Sequence, residues 1–573
     1  MYLFKQITRE IVRNKIFVFL LFLLSAFTSF MYFFVQFSID GNMKMLKSLS
    51  VLSENQLLYQ KALNSNVILS KNFLIVLIGL TSFVFAMFFY RFYKSNGKQI
   101  GCLRALGYKN RVLRSYFVSF TAILSLVGGL FGFVFGYFAS DILINANKQS
   151  YNLAGLIKNI DLSSIIIGLL APIVIFCIVT FFSYGFVGRM EVGNLLSGVN
   201  NKYGFSGILK FVNSFVKILP VKDKFPYRIA FRKPIAVLLI ITAVMGFTVM
   251  FIMGYSLNRS SQKVFLSQTV GHRYMFDTHF TEFKIKDEEK DNSIYYLISD
   301  VVVKSQNGTE VEQQIIGIEQ NDKILALQDR KGKLLNGIKK DKVYISPALN
   351  ELYGFNIGDK IILTFSEKNY PVIIENIAIN AKSKSIYISK EKLAEILNLP
   401  ANVYNGILSI EEVLSDEGIT TTYEQKIANL ERDSVSNRNS AVINQIIGFI
   451  VGSILLYLAL LINFQENKRD ILILHLMGYK PKAIGTLLID IYRPIIGMTF
   501  LLTLMPSIMI AQSVQKTLSI QTGDYMPFQI SYLFIFVIFI LLNMLYSLVK
   551  ITFSREIKSI IKRENITHYT NTN

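Results

Sequence analysis

The chain has 573 residues, 52% of them hydrophobic, with a mean hydropathy of +0.41 and a formal net charge of +21. Its apolar runs exclude a purely soluble protein of three or four domains, because about 18 or more apolar residues with few charges read as a membrane span. The charge is no nucleic-acid footprint: Leu257–Ser440, the one long polar stretch, holds 23 Lys and Arg against 26 Asp and Glu, so an excess of 24 positive charges lies elsewhere, in short segments beside apolar runs.

In chain order the spans read Ile16–Phe37, Phe73–Tyr90, Ser115–Ser140, Ile165–Val187, Ile235–Tyr255, Ile446–Phe464, Ala483–Ala511 and Ile530–Leu548. The first has too long an apolar core, and no small-residue cleavage site, to be a signal peptide. The basic segments, Lys5–Lys15, Arg91–Arg114, Arg189–Lys233, Lys468–Lys482 and Lys550–Arg563, fall on one side of eight spans together with both termini. Short basic loops stay in the cytoplasm, so this orientation puts both termini inside and Leu257–Ser440 outside. Two cysteines, Cys102 and Cys177, leave the outside region without a disulfide framework. Abundant Lys, Ile and Asn with no Trp resemble the output of an AT-rich bacterial genome, so with the spans the expected location is a bacterial plasma membrane.

Internal repetition organises the chain. Lys5, Arg9 and Arg13 fall on Lys224, Arg228 and Arg232 at an offset of about 219, and Gly107-Tyr108-Lys109 falls on Gly478-Tyr479-Lys480 at about 371. Both offsets describe one duplication if the second copy gained about 152 residues between its first two spans; that gap is about 35 residues in the first copy and about 190 in the second. The expected organisation is a first four-span repeat over 1–187, a cytoplasmic linker over 188–233, a fifth span over 234–256, an extracellular α+β domain with its stalk over 257–440, three further spans over 441–550 and a cytoplasmic tail over 551–573. The fold class is thus a polytopic α-helical membrane protein of two four-helix repeats carrying one α+β domain.

That domain alternates with a period of two in DVVVKS, QQIIGIE, KVYIS, KIILTF, PVIIENIAI and KSIYIS, the pattern of strands. Ser346 and Ser389 start two short helices, with Gly354 ending the first and Pro400 the second. Residues 423–445 read as a polar helix running into the sixth span as a rigid stalk.

The basic stretch Ile100–Arg114 is amphipathic as a helix, with Ile100, Leu103 and Leu106 on one face, Arg104 turned elsewhere and Gly107 as a left-handed stop. Ile471, Leu474, Met477 and Gly478 repeat it. Such a face suits either the lipid interface or a groove on a cytoplasmic partner.

KQIGCLRALGYKNRVLRSYFV resembles the signature of FtsX-like permeases, the membrane subunits of type VII ABC systems. Ile100, Gly101, Leu103, Arg104, Ala105, Leu106 and Gly107 match in place, with Gln99, and Asp470 in the second copy, where the family has Glu. GGLFGFVFG is similar to the family's next span, and VYISPALNELYGFNIGDKIIL to a segment of its macrolide-exporter and lipoprotein-releasing members. The resemblance implies that Gln99–Lys109 and Asp470–Lys480 are coupling helices seated on two copies of a separate ATPase, which binds ATP and Mg. It further implies mechanotransmission to the outer side and amphiphilic substrates such as antimicrobial peptides or lipids. A regulatory role on a cell-wall hydrolase, or with a sensor kinase, is the alternative; an ATPase-free scaffold is a third.

Other residues read more plainly. Gly128, Gly132 and Gly136 recur every four positions and allow close helix packing. Asp490 and Arg493 are ionisable residues inside the seventh span, read either as a pair with the Arg reaching to the interface or as a coupling or substrate contact. His272, Asp277 and His279 make a poor metal site because His272 faces away on a strand, and Asn307 reads as a hairpin turn. No phosphate-binding loop, nucleophile elbow or zinc motif occurs, so no catalytic, metal or cofactor residue is assigned.

Overall fold

The computed structural model describes residues 15–153, 155–197, 234–286, 292–305, 308–319, 322–335, 337–365, 368–412, 418–466 and 468–570. Most of the paired basic segments Lys5–Ile16 and Lys224–Ile235, most of the 188–233 linker and Asn307 lie outside these. Among the described residues eight helices are long and apolar enough to cross a membrane: Lys15–Lys47, Asn55–Tyr93, Asn110–Lys148, Leu162–Gly188, Val237–Thr269, Ala441–Leu461, Pro481–Thr522 and Tyr532–Ile561. Each of the eight apolar runs sits in one of them. The molecule is a polytopic membrane protein with an α/β domain outside the membrane.

The chain divides into two compact units. The first holds the described residues up to Ile252, Asn444–Ala511 and those from Ser531 onward. Its first four spans are carried by α1 (Lys15–Gln36), α3 (Glu54–Ser95), α5 (Asn110–Tyr151) and α6 (Leu162–Gly188), with short α2 (Asp40–Lys47), α4 (Gly97–Ala105) and α7 (Val192–Ser197) between and after them. α3 starts well before its apolar run, because Ser53 Oγ accepts from Gln56 N–H while Gln56 returns the bond to Ser53 N–H, a capping box that satisfies two free donors. Hydroxyls tie the bundle: Thr28 meets Thr81 at 3.0 Å, and Thr121 meets Thr180 at 2.9 Å. In a medium without water these replace the lost solvent bonds.

The remaining spans belong to α8 (Pro234–Thr269), later α11 (Tyr423–Glu466), and, after the short α12 (Lys468–Leu476) and α13 (Pro481–Gly485), α14 (Tyr492–Thr522) and α15 (Tyr532–Thr570). A π-helical turn, Thr486–Asp490, separates α13 from α14.

The second unit comprises Met253–Ile443 and Gln512–Ile530. Its strands are β1 (Phe276–Ile285), β2 (Ser293–Lys304), β3 (Glu310–Ile318), β4 (Lys342–Ile345), β5 (Lys360–Phe365), β6 (Lys368–Ile377), β7 (Ser385–Ser389), β8 (Val403–Ser409) and β9 (Gly418–Thr422), with helices α9 (Pro347–Tyr353) and α10 (Lys390–Leu397). They run in the order β3-β7-β4-β6-β5-β2-β8-β1-β9, and β2 also pairs with β3. Six strands thus close on themselves, with β8, β1 and β9 continuing from the other end of β2. The pairs β3–β7 and β4–β6 are parallel. Val303, Ile315, Val343, Leu363, Ile374 and Ile388 are fully buried in one core, which α10 caps with Leu393.

All six alternating runs are strands. Gly354 ends α9 in the left-handed region at φ +79°, as expected. α10 stops earlier than Pro400, at Asn398, which takes φ +54°. Gly308, at φ +81°, makes the β2–β3 hairpin turn.

α8 and α11 are the stems of this unit, and their domain-side ends are pinned together. Buried Asn380 donates to Val270 O at 3.0 Å and Ala326 O at 2.8 Å, holding the chain as it leaves α8. Tyr423 N–H, at the start of α11, donates to Met275 O at 2.7 Å. Lys426 Nζ lies 2.6 Å from His272 Nδ1 and 2.8 Å from Tyr274 Oη. His272 precedes β1 rather than lying on it, and its Nε2 meets Asn380 O at 2.8 Å. The ring is therefore neutral, with the Nε2 proton donated to the carbonyl and Nδ1 accepting. Burial, then the Lys426 ammonium, lower His272 to about 3, and burial lowers Lys426 to about 7.

Candidate coupling turns

The two basic turns have one geometry. Gly107 and Gly478 sit at φ +92° and +91°. Gly107 N–H donates to Arg104 O at 3.0 Å and Tyr108 N–H to Leu103 O at 3.2 Å; Gly478 N–H donates to His475 O at 2.9 Å and Tyr479 N–H to Leu474 O at 3.0 Å. This pair of bonds closes a helix whose next residue is left-handed, a conformation that glycine takes without a Cβ penalty. Lys109 and Lys480 then turn extended, and α5 and α13 begin. Pro481 opens α13 where a missing N–H costs nothing.

Burial grades along each helix in the same way. Ile100 and Ile471 are 3% and 0% exposed, Leu103 and Leu474 half-buried, and Leu106 and Met477 74% and 68% exposed. The expected single apolar face is thus split. Its first residue anchors the helix inward and its last stands out at the tip beside exposed Tyr108, Lys109, Tyr479 and Lys480. Gln99 and Asp470 are exposed as well. Each tip exposes a large apolar side chain, a tyrosine and a lysine.

The anchors differ. In the first copy α7 lies on α4, where a Cβ on Gly101 would come within 2.9 Å of Leu195 Cβ, and Arg104 Nη1 donates to Met190 O at 2.6 Å. In the second, Ile471 joins Leu460, Phe464, Leu488, Tyr492 and Phe553 around a small apolar cavity.

Residues 72–192 match the family described as FtsX-like permease C-terminal. The chain carries an FtsX-like permease domain. It covers α4, the first turn, α5 and α6, and FtsX-like permease domains are membrane components of ABC transporters. No curated protein matches the chain. Among solved structures, the periplasmic region of MacB from Actinobacillus actinomycetemcomitans is similar at 11% identity and a TM-score of 0.21, over 29% of this chain and 97% of that one.

Within the FtsX-like domain the three glycines pack α5 on α1. A Cβ on Gly132 would lie 2.5 Å from Ala26 O, one on Gly136 2.7 Å from Phe33 Cβ, and one on Gly128 3.0 Å from Ser25 Cβ. The second copy places Thr499, Thr503 and Ser507 at the corresponding positions. There the close approach moves to another helix pair: Gly448 and Gly452 on α11 face Met250 and Phe247 on α8, at 2.6 and 2.7 Å. GFIVG at 448–452 has the same four-residue spacing and was the available signal.

Asp490 and Arg493 do not pair with each other. Asp490 meets Lys550 of α15 at 2.5 Å, and Arg493 Nε approaches Asn543 Oδ1 at 3.5 Å. The π-turn rotates Asp490 toward α15, where Tyr546 Oη donates to the freed Ile489 carbonyl at 2.7 Å.

Proposed function

We propose that the chain is a duplicated permease of an ABC transporter that docks two copies of a separate ATPase at Leu106–Lys109 and Met477–Lys480. The observation that carries this reading is the equivalence of the two turns in backbone geometry, in graded burial and in exposed tips. ATP and Mg belong to the partner. Closure of the ATPases presses on both turns, and the spans and stems pass the movement to the outer domain of a bacterial plasma-membrane protein whose termini are cytoplasmic.

The cargo is an amphiphile such as a cationic peptide or lipid, exported or extracted at the outer side. Two cavities inside the domain hold only about 10 and 20 Å³, room for a water. The cleft between the stems holds about 460 Å³ and is lined by Gln262, Phe265, Leu266, Glu431, Ser434 and Val435. This mixture of apolar and polar side chains supports an amphiphilic ligand over a protein docked at the apex. Action on an extracellular hydrolase or a signalling kinase is the reading to which a stable outer protein partner would point.

The test is purification of the C-terminally tagged chain from native membranes in mild detergent. A stoichiometric ATPase that is lost when Gly107 and Gly478 are both changed to Val is expected. Recovery of the chain alone in several mild detergents overturns the reading and returns the basic turns to the lipid interface.

A further inference from the structure

Residues 523–531, which join the last two spans, are fastened to the outer domain. Tyr525 Oη donates to Glu351 Oε2 on α9 at 2.7 Å, and Gln529 N–H donates to Ser256 Oγ on α8 at 2.8 Å. Gly523, at φ +74°, lies against Lys384. Burial and the facing carboxylate raise the Tyr525 phenol, so it stays a donor to a charged acceptor, one of the stronger hydrogen bonds. The link is also stapled to its own helix: Gln515 Nε2 donates to Met526 O at 3.2 Å and Pro527 O at 3.3 Å, and Met526 N–H donates to Ser519 Oγ at 3.1 Å. Gln515 and Ser519 are fully buried.

The first copy has the same arrangement on a smaller scale. Its third-to-fourth link, 152–161, is bonded to the short segment between the first two spans. Asn42 exchanges two 2.9 Å bonds with Ile157, Asp161 N–H donates to Asp40 Oδ2 at 2.9 Å, and Asn159 N–H donates to Phe37 O at 3.3 Å. The duplication offsets place Phe37 on Ser256 and Asn159 beside Gln529. In both copies this link grips whatever lies between the first and second spans; in the second copy, that is a whole domain.

The second coupling turn is flanked by α11 on one side and by the helical run Pro481–Thr522 on the other, and both lead to the outer domain. The first turn is flanked by α3 and α5, which lead to the short segment. We propose that residues 523–531 are a third arm, beside the two stems, which carries displacement of the second turn to the outer domain through Tyr525 and Glu351. The second docking turn therefore has a direct route to the domain that the first lacks. This rests on the permease reading above, because the displacement comes from the partner's nucleotide cycle.

The test uses the full chain in native membranes, with Cys102→Ser and Cys177→Ser, and with Tyr525→Cys paired with Glu351→Cys. The probe is Mg-ATP with vanadate, and the readout is disulfide yield on mild oxidation. We expect the yield, read only on complexes that still hold the ATPase, to change at least threefold with nucleotide, to stop responding with Tyr479→Ala, and to keep responding with the matching Tyr108→Ala. Equal loss with Tyr108→Ala in complexes that hold the ATPase overturns the arm. A yield indifferent to nucleotide, while hydrogen exchange at 476–480 responds, overturns the arm and leaves the permease reading standing. Indifference at both places removes the permease reading, and the arm falls with it.

Discussion

Gly107 and Gly478 lie 371 positions apart and hold the same left-handed backbone, and at neither would an added Cβ meet another atom within 4 Å. The requirement at both is for conformation alone, not for space. Replacement by Val should cost about 1–2 kcal/mol of turn stability, whereas Asn, which enters this region readily, should cost clearly less. Recovery of the ATPase on the tagged chain is expected to follow the order Gly, Asn, Val at either position. Equal loss with Asn and Val would mean that the docked surface needs a bare backbone there.

The α1–α5 contact makes a steric prediction that runs the other way. A Cβ at Gly132 meets backbone at 2.5 Å, while one at Gly128 meets Ser25 at 3.0 Å. Gly132→Ala should therefore lower the melting temperature of the detergent-solubilised chain more than Gly128→Ala, with overpacking of about 1–3 kcal/mol at the tighter site. The reverse order would show that the helices part without cost.

The stem anchor carries a pH dependence of known sign. His272 sits at about 3 in the fold against an ordinary value of 6.5, so its contribution is present above 6.5 and is lost as the pH falls from there through 3. Lys426 sits at about 7, so its share is present above about 10.5 and is lost between there and 7. Wild type should lose thermal stability between pH 6.5 and 4, and His272→Gln should lose less over the same window. Asp277 and Lys382, which meet at 2.9 Å beside this cluster, stay in both proteins and cancel in the comparison.

Asp490 and Lys550 are each partly exposed, so their pairing should be worth about 1 kcal/mol or less. A double-mutant cycle of Asp490→Asn and Lys550→Met, read from melting temperatures, is expected to show coupling of that size. Asp490→Asn with Arg493→Met should be additive, since these two do not touch.

What the sequence disclosed follows from where each signal resides. Eight spans, six strands and both turns are written in local periodicity and in glycine placement, which a linear reading detects. β1, β8 and β9 lack a clean alternation, because β1 mixes Thr, His, Glu and Lys on a strand whose partners decide its burial. The partner of Asp490 is 60 positions away on another helix. The grip of Tyr525 on Glu351 joins residues 174 apart, and neither is marked by its neighbours. Gly448 and Gly452 were legible in principle, by the spacing that exposed Gly128, Gly132 and Gly136.

The bond from Tyr423 N–H to Met275 O, with β1 and β9 paired beside it, brings the beginning and the end of the inserted domain to nearly one point. A chain that leaves and returns at one point asks little more of its surroundings than a tight loop does, since closure entropy grows only with the logarithm of loop length. During synthesis the strands are all made before the sixth span, so the domain can fold and close its own seam while the second repeat is still unfinished. A transplanted domain from another source should need only matching stems, the pin at Asn380 and the hook at Glu351 to be held in the same way.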